Sequence, residues 1–489
     1  MKKTMNQSLL KVIVICIIIQ LASITAGVSQ SKADIIDKLM SKYLEYGQFN
    51  GSVLVAEQGK IIFKKGYGMA NMEWNIPNQS TTKFRLGSIS KQFTSLLILQ
   101  LAEQGKLKLD VPITTYLPDY PKPNGEKITI HHLLTHTSGI PNYTAFPDFM
   151  KDKSRNPYTP EEFVKTFSDL KLEFEPGKKF NYSNSGYFLL GYIIEKVSGK
   201  MYEQCLHESI LIPLKMTNTG YDHSELIIKN RAAGYEKNGK EFMNARYIDM
   251  TIPYAAGSLY STVEDLYLWD QALYANTLLS SNYTNMLYGS YFPELKSNYG
   301  YGWGMYEVSI AGNSEKLKVI EHGGGINGFN TLISRIPSGK NLIILLNNTG
   351  GAALGEMNKA IRSILYDKPY DMPKLSLATA LYDVIIEKGL AIGLEKLKEF
   401  KSSEKYALKE EEINTAGYQL LQSGKVKEAI EVFKLNVDAF PTSGNCYDSL
   451  GEAYLKDGNK KLAIVNYKRA IELDPSNENG RKILEEISK

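Results

Sequence analysis

The chain contains the motif Gly87-Ser88-Ile89-Ser90-Lys91, and the apolar run Phe93-Thr94-Ser95-Leu96-Leu97-Ile98-Leu99 follows it. The apolar run predicts a helix over residues 93–103, which places Ser88 at the helix start. Backbone N–H groups and the helix dipole favour a negatively charged oxygen there. Lys91 lies one turn later on the same face, so its amine can reach the Ser88 hydroxyl and act as a base if it is buried. The alternative is a capping serine beside a solvated lysine.

The Ser-x-x-Lys pattern alone is not specific, because six serines of the chain match it. Outside the predicted signal peptide, only the copy at Ser88 directly precedes an apolar helical run, and the sequence therefore favours this one for catalysis. The matching serines are Ser8, Ser29, Ser80, Ser88, Ser168 and Ser402.

A second motif, Tyr182-Ser183-Asn184, follows the predicted turn Glu175-Pro176-Gly177 and precedes a helix predicted over residues 187–197. A tyrosine on such a loop can relay a proton from a serine, and an asparagine amide can bind a substrate amide. Two other Tyr-x-Asn copies, at Tyr274 and Tyr283, lie in a stretch that is typical of a helix surface.

The third motif is His322-Gly323-Gly324-Gly325, which we expect at the end of a strand. Glycines after a strand let a ligand lie against exposed backbone, and one N–H can serve as an oxyanion donor. The run also matches G-x-G-x-x-G through Gly328. The residues that follow are strand-like where that fingerprint demands a helix, which excludes a dinucleotide site.

Two other chemistries are disfavoured. His131, His132 and His136 lie close together, but the H-E-x-x-H pattern of a zinc helix is absent, and we predict a hydrogen-bonded structural role for them. No G-x-S-x-G occurs, which disfavours the nucleophile elbow of an α/β-hydrolase.

The predicted strands lie at the two ends of one long segment. A hairpin is expected over residues 51–64, and three further strands are expected over residues 316–321, 330–336 and 341–346. Helices and loops fill the sequence between them. The pattern predicts an α+β domain whose two ends meet in a single antiparallel sheet.

In their order along the chain, these motifs resemble those of the serine β-lactamase and penicillin-binding hydrolase family. The resemblance covers residues 35–366 and is closest to class C β-lactamases, D-alanyl-D-alanine carboxypeptidases, D-aminopeptidases and related esterases. It implies an antiparallel sheet flanked by helices, with an all-helical subdomain and the active site between the two. A fourth matching stretch is Ile130-His131-His132-Leu133-Leu134-Thr135-His136-Thr137-Ser138-Gly139-Ile140-Pro141.

The resemblance also implies roles for individual residues. Ser88 corresponds to the acylated nucleophile, Lys91 to its proton acceptor and Tyr182 to the general base and acid, with the division of labour between Lys91 and Tyr182 left open. The N–H groups of Ser88 and Gly325 correspond to the oxyanion donors. The implied substrate-binding residues are Asn184, His322, Gly324 and Gly325; no metal or cofactor is implied.

His322 departs from the pattern of many members, which have the lysine of Lys-Thr-Gly at this position. A neutral imidazole attracts a substrate carboxylate less than an ammonium group does. The His-x-Gly pattern therefore resembles the peptidase and esterase branches more than efficient β-lactamases, while the scaffold alone does not decide the substrate.

Composition excludes a disordered chain and a polytopic membrane protein, since 43% of the 489 residues are hydrophobic and 22% are charged. Lys2, Lys3 and Lys11 precede an apolar core that is followed by small residues, which predicts a signal peptide over residues 1–27; the alternative is an uncleaved membrane anchor. Its removal would lower the net charge from +4 to +1, which gives no reason to expect nucleic acid or a polybasic membrane contact. The remaining Cys205 and Cys446 fall in different predicted domains, so no disulfide is expected.

The C-terminal tail repeats itself at a spacing of 34 residues, after a predicted proline-containing linker over residues 367–376. The spacing and the alternation of small and aromatic residues predict an all-α domain of tetratricopeptide-like helix pairs over residues 377–489. The matching residues are Ile413, Ala416, Gly417, Leu420, Ala429, Phe433 and Pro441, with Tyr447, Leu450, Gly451, Tyr454, Ala463, Tyr467 and Pro475.

Together these features predict an exported serine hydrolase, periplasmic or extracellular, with a hydrolase domain over residues 28–366. It would cleave amides or esters, including D-alanyl peptides, through an acyl enzyme, and contact a membrane only during export. The tail would bind a protein or peptide partner. The alternatives are a β-lactamase, or a non-catalytic binding protein in which the hydrolase fold is a receptor.

Overall fold

The computed structural model of the chain describes residues 30–238, 241–310 and 316–488. The predicted signal peptide lies outside these ranges. Two compact units are present, one built mainly from residues 48–235 and 244–371, the other from residues 372 onward with the segments 45–47 and 236–243. Within the described ranges, no helix is both long enough and apolar enough to cross a membrane.

The first unit is built around a six-stranded sheet in which every neighbouring pair is antiparallel. Its strands are β1 (Gly51–Glu57), β2 (Lys60–Tyr67), β3 (Gly304–Ser309), β4 (Lys316–Ile326), β5 (Phe329–Ile336) and β6 (Asn341–Asn347). They lie side by side in the order β3-β4-β5-β6-β1-β2.

The two ends of the first unit meet in the middle of this sheet. Strand β1 pairs with β6, with Val53 opposite Leu345, and β6 pairs in turn with β5, with Ile333 opposite Ile344. Nearly every side chain of these three strands is buried, so both faces of the central sheet are covered. The predicted α+β fold with a single antiparallel sheet is confirmed.

Among the described residues of the first unit, five helices have eleven residues or more: α1 (Lys32–Glu45), α2 (Ser90–Glu103), α3 (Asn184–Ser198), α4 (Val263–Ala275) and α5 (Leu354–Leu365). Shorter helices are Lys122–Gly125, Ile130–Leu134, Pro160–Lys165, Tyr202–Leu206, Ile212–Leu214, Tyr254–Gly257 and Ser281–Met286. Short strands of the chain are Met69–Asn71, Ile76–Pro77, Phe84–Arg85, Gly220–Tyr221, Tyr235–Asn238, Glu241–Asn244, Leu259–Ser261, Leu375–Ser376 and Tyr406–Ala407.

Helix α2 is central to the unit, because its first ten residues are all buried. Trp269 of α4 stacks on Phe93 of α2 with ring centroids 4.2 Å apart and donates a hydrogen bond to the Gln92 side chain at 3.0 Å. On another side, the Tyr187 hydroxyl of α3 is hydrogen-bonded to the Ser95 hydroxyl at 3.1 Å. These contacts fix α2, and with it the residues at its start.

Strand β4 is longer than the sequence indicates. We expected His322-Gly323-Gly324-Gly325 to follow a strand, but β4 continues through these residues to Ile326 and pairs with β5 from Ile320 to Ile326. The expectation was wrong because the glycine run has low strand propensity of its own, and pairing with β5 overrides that propensity.

The C-terminal unit contains seven helices among its described residues: α6 (Leu377–Lys388), α7 (Leu390–Ser402), α8 (Glu410–Gln422), α9 (Val426–Ala439), α10 (Gly444–Lys456), α11 (Lys460–Leu473) and α12 (Glu478–Ser488). A Cβ on Gly417 of α8 would come within 2.5 Å of the Phe433 ring of α9. The equivalent distance from Gly451 of α10 to the Tyr467 ring of α11 is 3.2 Å. The all-helical tail is confirmed, whereas its assignment as tetratricopeptide repeats and the linker boundaries stay predictions.

Candidate active site

Ser88 lies half-buried in a single 3-10 turn that leads into α2. Gly87 has a φ of +55°, and a Cβ there would come within 2.9 Å of the Gly325 nitrogen. A Cβ on Gly324 would come within 1.9 Å of the Leu86 carbonyl oxygen. Glycine is therefore needed on both sides of this contact, which brings the Ser88 turn against the backbone of β4.

Lys91 is fully buried one turn into the helix. Its Nζ atom lies 3.0 Å from Ser88 Oγ, 2.8 Å from Asn184 Oδ1 and 2.8 Å from the Ala256 carbonyl oxygen. Burial lowers the pKa of Lys91 well below its ordinary value, which favours the neutral amine.

The hydrogen-bond partners of this amine fix its orientation. A neutral amine has two N–H donors and one lone pair, whereas the oxygens of Asn184 and Ala256 can only accept. In the neutral form of Lys91, the two N–H bonds therefore point to these oxygens, and the lone pair faces Ser88 Oγ. The Ser88 hydroxyl then donates its proton toward Lys91, which is the arrangement that a general base requires.

Tyr182 lies beside the same two residues, and the Lys91 Nζ atom is 4.9 Å from the centroid of its ring. Its buried hydroxyl makes no hydrogen bond of ordinary geometry with any residue that the structure describes. Burial raises the pKa of Tyr182, and the nearby Ser88 hydroxyl offsets part of that rise. The proton is thus retained on a hydroxyl that is close to Ser88 and free to bond a substrate.

His136 packs against the loop that carries Tyr182. It is 1% exposed, has a φ of +58°, and its Nδ1 accepts a hydrogen bond from the Ser183 N–H at 3.1 Å. Its ring lies 4.2 Å from that of Tyr182, centroid to centroid. His131 Nδ1 lies 2.7 Å from the Tyr301 hydroxyl, and His132 caps its own short helix. All three histidines are hydrogen-bonded, as predicted, and their structural role stays a prediction.

Two of the predicted substrate-binding residues, Asn184 and His322, make different contacts in the structure. Asn184 begins α3, where its Oδ1 contacts Lys91 and its Nδ2 lies 3.4 Å from the Thr144 hydroxyl. The His322 ring is 8% exposed and lies 6.3 Å from the Tyr182 ring, centroid to centroid. Its Nδ1 is 2.6 Å from the Gly323 carbonyl oxygen and its Nε2 is 2.7 Å from the Tyr299 hydroxyl.

The structure thus brings every predicted site residue into one cluster in the first unit. Ser88, Lys91 and Asn184 are joined by hydrogen bonds, Tyr182 lies over Lys91, and the glycines of β4 touch the Ser88 turn. The His322 side chain differs from expectation, because both of its nitrogens are engaged within the protein.

Comparison with known proteins agrees with this geometry. The Beta-lactamase family model matches residues 35–366. A Bacillus subtilis protein named "Putative penicillin-binding protein PbpX" is 33% identical over 345 residues, which is 70% of this chain and 82% of that protein.

Two solved structures share the fold. The penicillin-binding protein from Bacillus halodurans superposes with a TM-score of 0.58 at 28% identity, covering 67% of this chain and 99% of that one. The octameric penicillin-binding protein homologue from Pyrococcus abyssi gives 0.59 at 30% identity, covering 71% and 80%. This chain belongs to the beta-lactamase family. It is accordingly a serine hydrolase.

Sequence reasoning missed two contributors to this beta-lactamase-family site. The Ala256 carbonyl acts through its backbone, so the identity of the side chain gave no signal. Tyr299 lies in Tyr299-Gly300-Tyr301-Gly302-Trp303-Gly304, whose alternation of aromatic residues and glycine indicates a tightly packed turn. Gly302 confirms such packing, because a Cβ there would come within 2.9 Å of the Lys91 carbonyl oxygen.

Proposed function

We propose that this chain hydrolyses amide or ester bonds through an acyl enzyme formed on Ser88. The observation that carries the proposal is the fully buried Lys91 amine, whose Nζ lies 3.0 Å from Ser88 Oγ and 2.8 Å from both Asn184 Oδ1 and the Ala256 carbonyl oxygen. A buried neutral lysine in this orientation can accept the serine proton at neutral pH.

In the acylation step, Ser88 Oγ bonds to the substrate carbonyl carbon while its proton passes to Lys91 Nζ. The backbone N–H groups of Ser88 and Gly325 stabilise the resulting oxyanion. As the carbonyl reforms, the bond to the leaving nitrogen or oxygen breaks, and the Tyr182 hydroxyl supplies the proton that this atom needs. Lys91 can return its proton to Tyr182, and water then releases the acid by the reverse sequence.

The Asn184 amide and the names of the relatives both support a class of substrate. The Asn184 Nδ2 group lies at the site and can donate to a substrate carbonyl. Relatives named as penicillin-binding proteins support a D-alanyl peptide or a related ester as substrate, and support a penicillin as a reagent that acylates Ser88. Efficient β-lactamase activity would also require rapid hydrolysis of that acyl enzyme.

We also propose that the protein is exported and that its C-terminal tail binds a partner. The basic start and apolar core of residues 1–27 support secretion to a periplasmic or extracellular location. The 34-residue repetition of the Gly417–Phe433 contact by Gly451 and Tyr467 supports a repeat unit that binds a protein or peptide.

The test compares kcat/KM for p-nitrophenyl butyrate, an acyl-D-Ala-D-Ala peptide and nitrocefin on one preparation, with Ser88→Ala as the matched control. We expect the ester or the peptide to be cleaved faster than nitrocefin, and all turnover to be lost in the control. If nitrocefin exceeds both others by about a hundredfold, the chain is a β-lactamase. If Ser88 binds penicillin but none of the three is turned over, it is a binding protein.

A further inference from the structure

The two nitrogens of His322 have fixed partners, and these partners determine which nitrogen carries the proton. Nδ1 lies 2.6 Å from the Gly323 carbonyl oxygen, and a carbonyl oxygen can only accept, so Nδ1 carries a proton. Nε2 lies 2.7 Å from the Tyr299 hydroxyl. In a neutral ring Nε2 is then the acceptor, and the Tyr299 O–H donates to it.

The surroundings of His322 oppose its protonation. Burial lowers the pKa of His322 to about 4; a positive charge on Lys91, whenever that amine is protonated, acts in the same direction, and the Gly323 carbonyl opposes it. The other titratable groups that face the ring are Tyr182, Tyr299 and His136. Burial raises the pKa of Tyr299 well above its ordinary value, so its hydroxyl keeps the proton that it donates.

Tyr299 is held in place by backbone pairing and by packing. It forms a bridge with Gly304, the first residue of β3, and Gly304 pairs with Glu321 of β4, next to His322. Its ring lies 4.7 Å from the His136 ring and 6.1 Å from the Tyr182 ring, centroid to centroid. The hydroxyl is therefore directed at Nε2 by the fold itself.

We propose that Tyr299 is a specificity-determining residue, which keeps His322 neutral with both nitrogens occupied, so that the site selects leaving groups without a free carboxylate. A substrate carboxylate at this position meets neither a positive charge nor a free N–H on His322. Esters and C-terminal amides have no free carboxylate at this position, so the absence of a charge or a free N–H on His322 does not weaken their binding. This inference rests on the proposed acylation of Ser88 and narrows its substrate class.

The experiment uses the full chain and a matched pair of substrates, acyl-D-Ala-D-Ala as the free acid and as its C-terminal amide. We expect the wild type to prefer the amide, with a ratio of kcat/KM values that does not change between about pH 5.5 and 8, because His322 stays neutral over that range. Tyr299→Phe removes a hydrogen bond to the neutral ring and thereby raises the pKa of His322. The preference of the Tyr299→Phe variant for the amide substrate should therefore fall roughly tenfold as the pH decreases. This is about the factor that one charge-assisted hydrogen bond supplies.

Tyr301→Phe is the matched control, because it removes a hydroxyl from the same turn that is bonded to His131 instead, at 2.7 Å. It should keep the wild-type ratio at every pH. A wild-type enzyme that prefers the free acid, or a Tyr299→Phe ratio that does not move with pH, overturns the inference.

An independent readout does not depend on how the variants fold. Nitrogen-15 NMR of the histidine-labelled wild type should show His322 protonated on Nδ1 alone down to about pH 5. A titration of His322 near its ordinary pKa, or a proton on Nε2, overturns the inference. Fluorophosphonate labelling of the wild type and of each variant separates the two proposals. If Ser88 of the wild type is not labelled, the proposed function itself is contradicted.

Discussion

At the scale of single residues, Lys91 has two fixed acceptors beside its amine, and these leave one direction open for its lone pair. The same burial that lowers the pKa of Lys91 makes a protonated amine costly, and the described contacts of Nζ are to oxygens of a serine, an asparagine and a backbone carbonyl. The charge state of this one side chain therefore determines whether Ser88 can be deprotonated.

Replacement of Lys91 by arginine should abolish acylation of Ser88, because a guanidinium group does not lose its proton in a protein. Lys91→Met should lower kcat/KM by roughly a thousandfold, since it removes the base but keeps an uncharged side chain. In the wild type, kcat/KM should rise with pH through the lowered pKa of Lys91 and stay level above it. The measurement is a pH profile on p-nitrophenyl butyrate, and an arginine variant with wild-type activity would refute the role of Lys91.

Removal of the Tyr182 hydroxyl should lower the activity of the enzyme without lowering its stability. That oxygen has no hydrogen-bond partner of ordinary geometry among the described residues, so Tyr182→Phe takes away no internal bond. We expect kcat/KM to fall by about a hundredfold or more while the thermal midpoint stays equal or rises. Parallel kinetics and thermal melts check this; a clear fall in the midpoint would mean that the hydroxyl has a structural role.

At the scale of helices and strands, the elements that position the site are held by buried contacts far from Ser88. Arg335 of β5 and Asp270 of α4 are 2% and 1% exposed, with Arg335 Nε 2.5 Å from Asp270 Oδ1. The guanidinium carbon also lies 4.5 Å from the Tyr274 ring and 5.6 Å from the Trp303 ring, centroid to atom. This pair joins α4 to the sheet, and α4 supports α2 through Trp269.

Asp270→Asn should destabilise the first unit strongly, because it leaves the Arg335 charge buried without its partner. The expected loss in the free energy of unfolding is about 3 kcal/mol, measured by urea denaturation. Glu161→Gln is the matched control, since it breaks an exposed pair with Lys165 and should leave the denaturation midpoint unchanged. Equal effects of the two substitutions would contradict the role given to the buried pair.

The sequence predicts most of these elements because local signals carry them. Gly199, with a φ of +70°, ends α3 at the predicted place, and Gly59 closes the predicted β1–β2 hairpin. The extension of β4 through Gly325 could not be predicted, since its register depends on β5. For the same reason Tyr299 was missed: its role comes from the pairing of β3 with β4, which a linear motif does not contain.

At the scale of the whole molecule, the residues that form the candidate active site all belong to the first unit, and the described part of the tail contains seven helices that bury their own apolar core. A chain that ends at Asp371 should therefore fold cooperatively and keep its kcat on small esters. The measurement is a thermal melt together with steady-state kinetics of the shortened chain. If it folds but is inactive, the tail takes part in shaping the active site.

Intact-mass analysis after incubation with a fluorophosphonate tests whether Ser88 is the acylated nucleophile. We predict one adduct, mapped to Ser88 by peptide sequencing and absent from Ser88→Ala, because no other Ser-x-x-Lys copy outside the predicted signal peptide has a helix-start position before an apolar run. An adduct on Ser29, Ser80, Ser168 or Ser402, or labelling that persists in Ser88→Ala, would contradict the account.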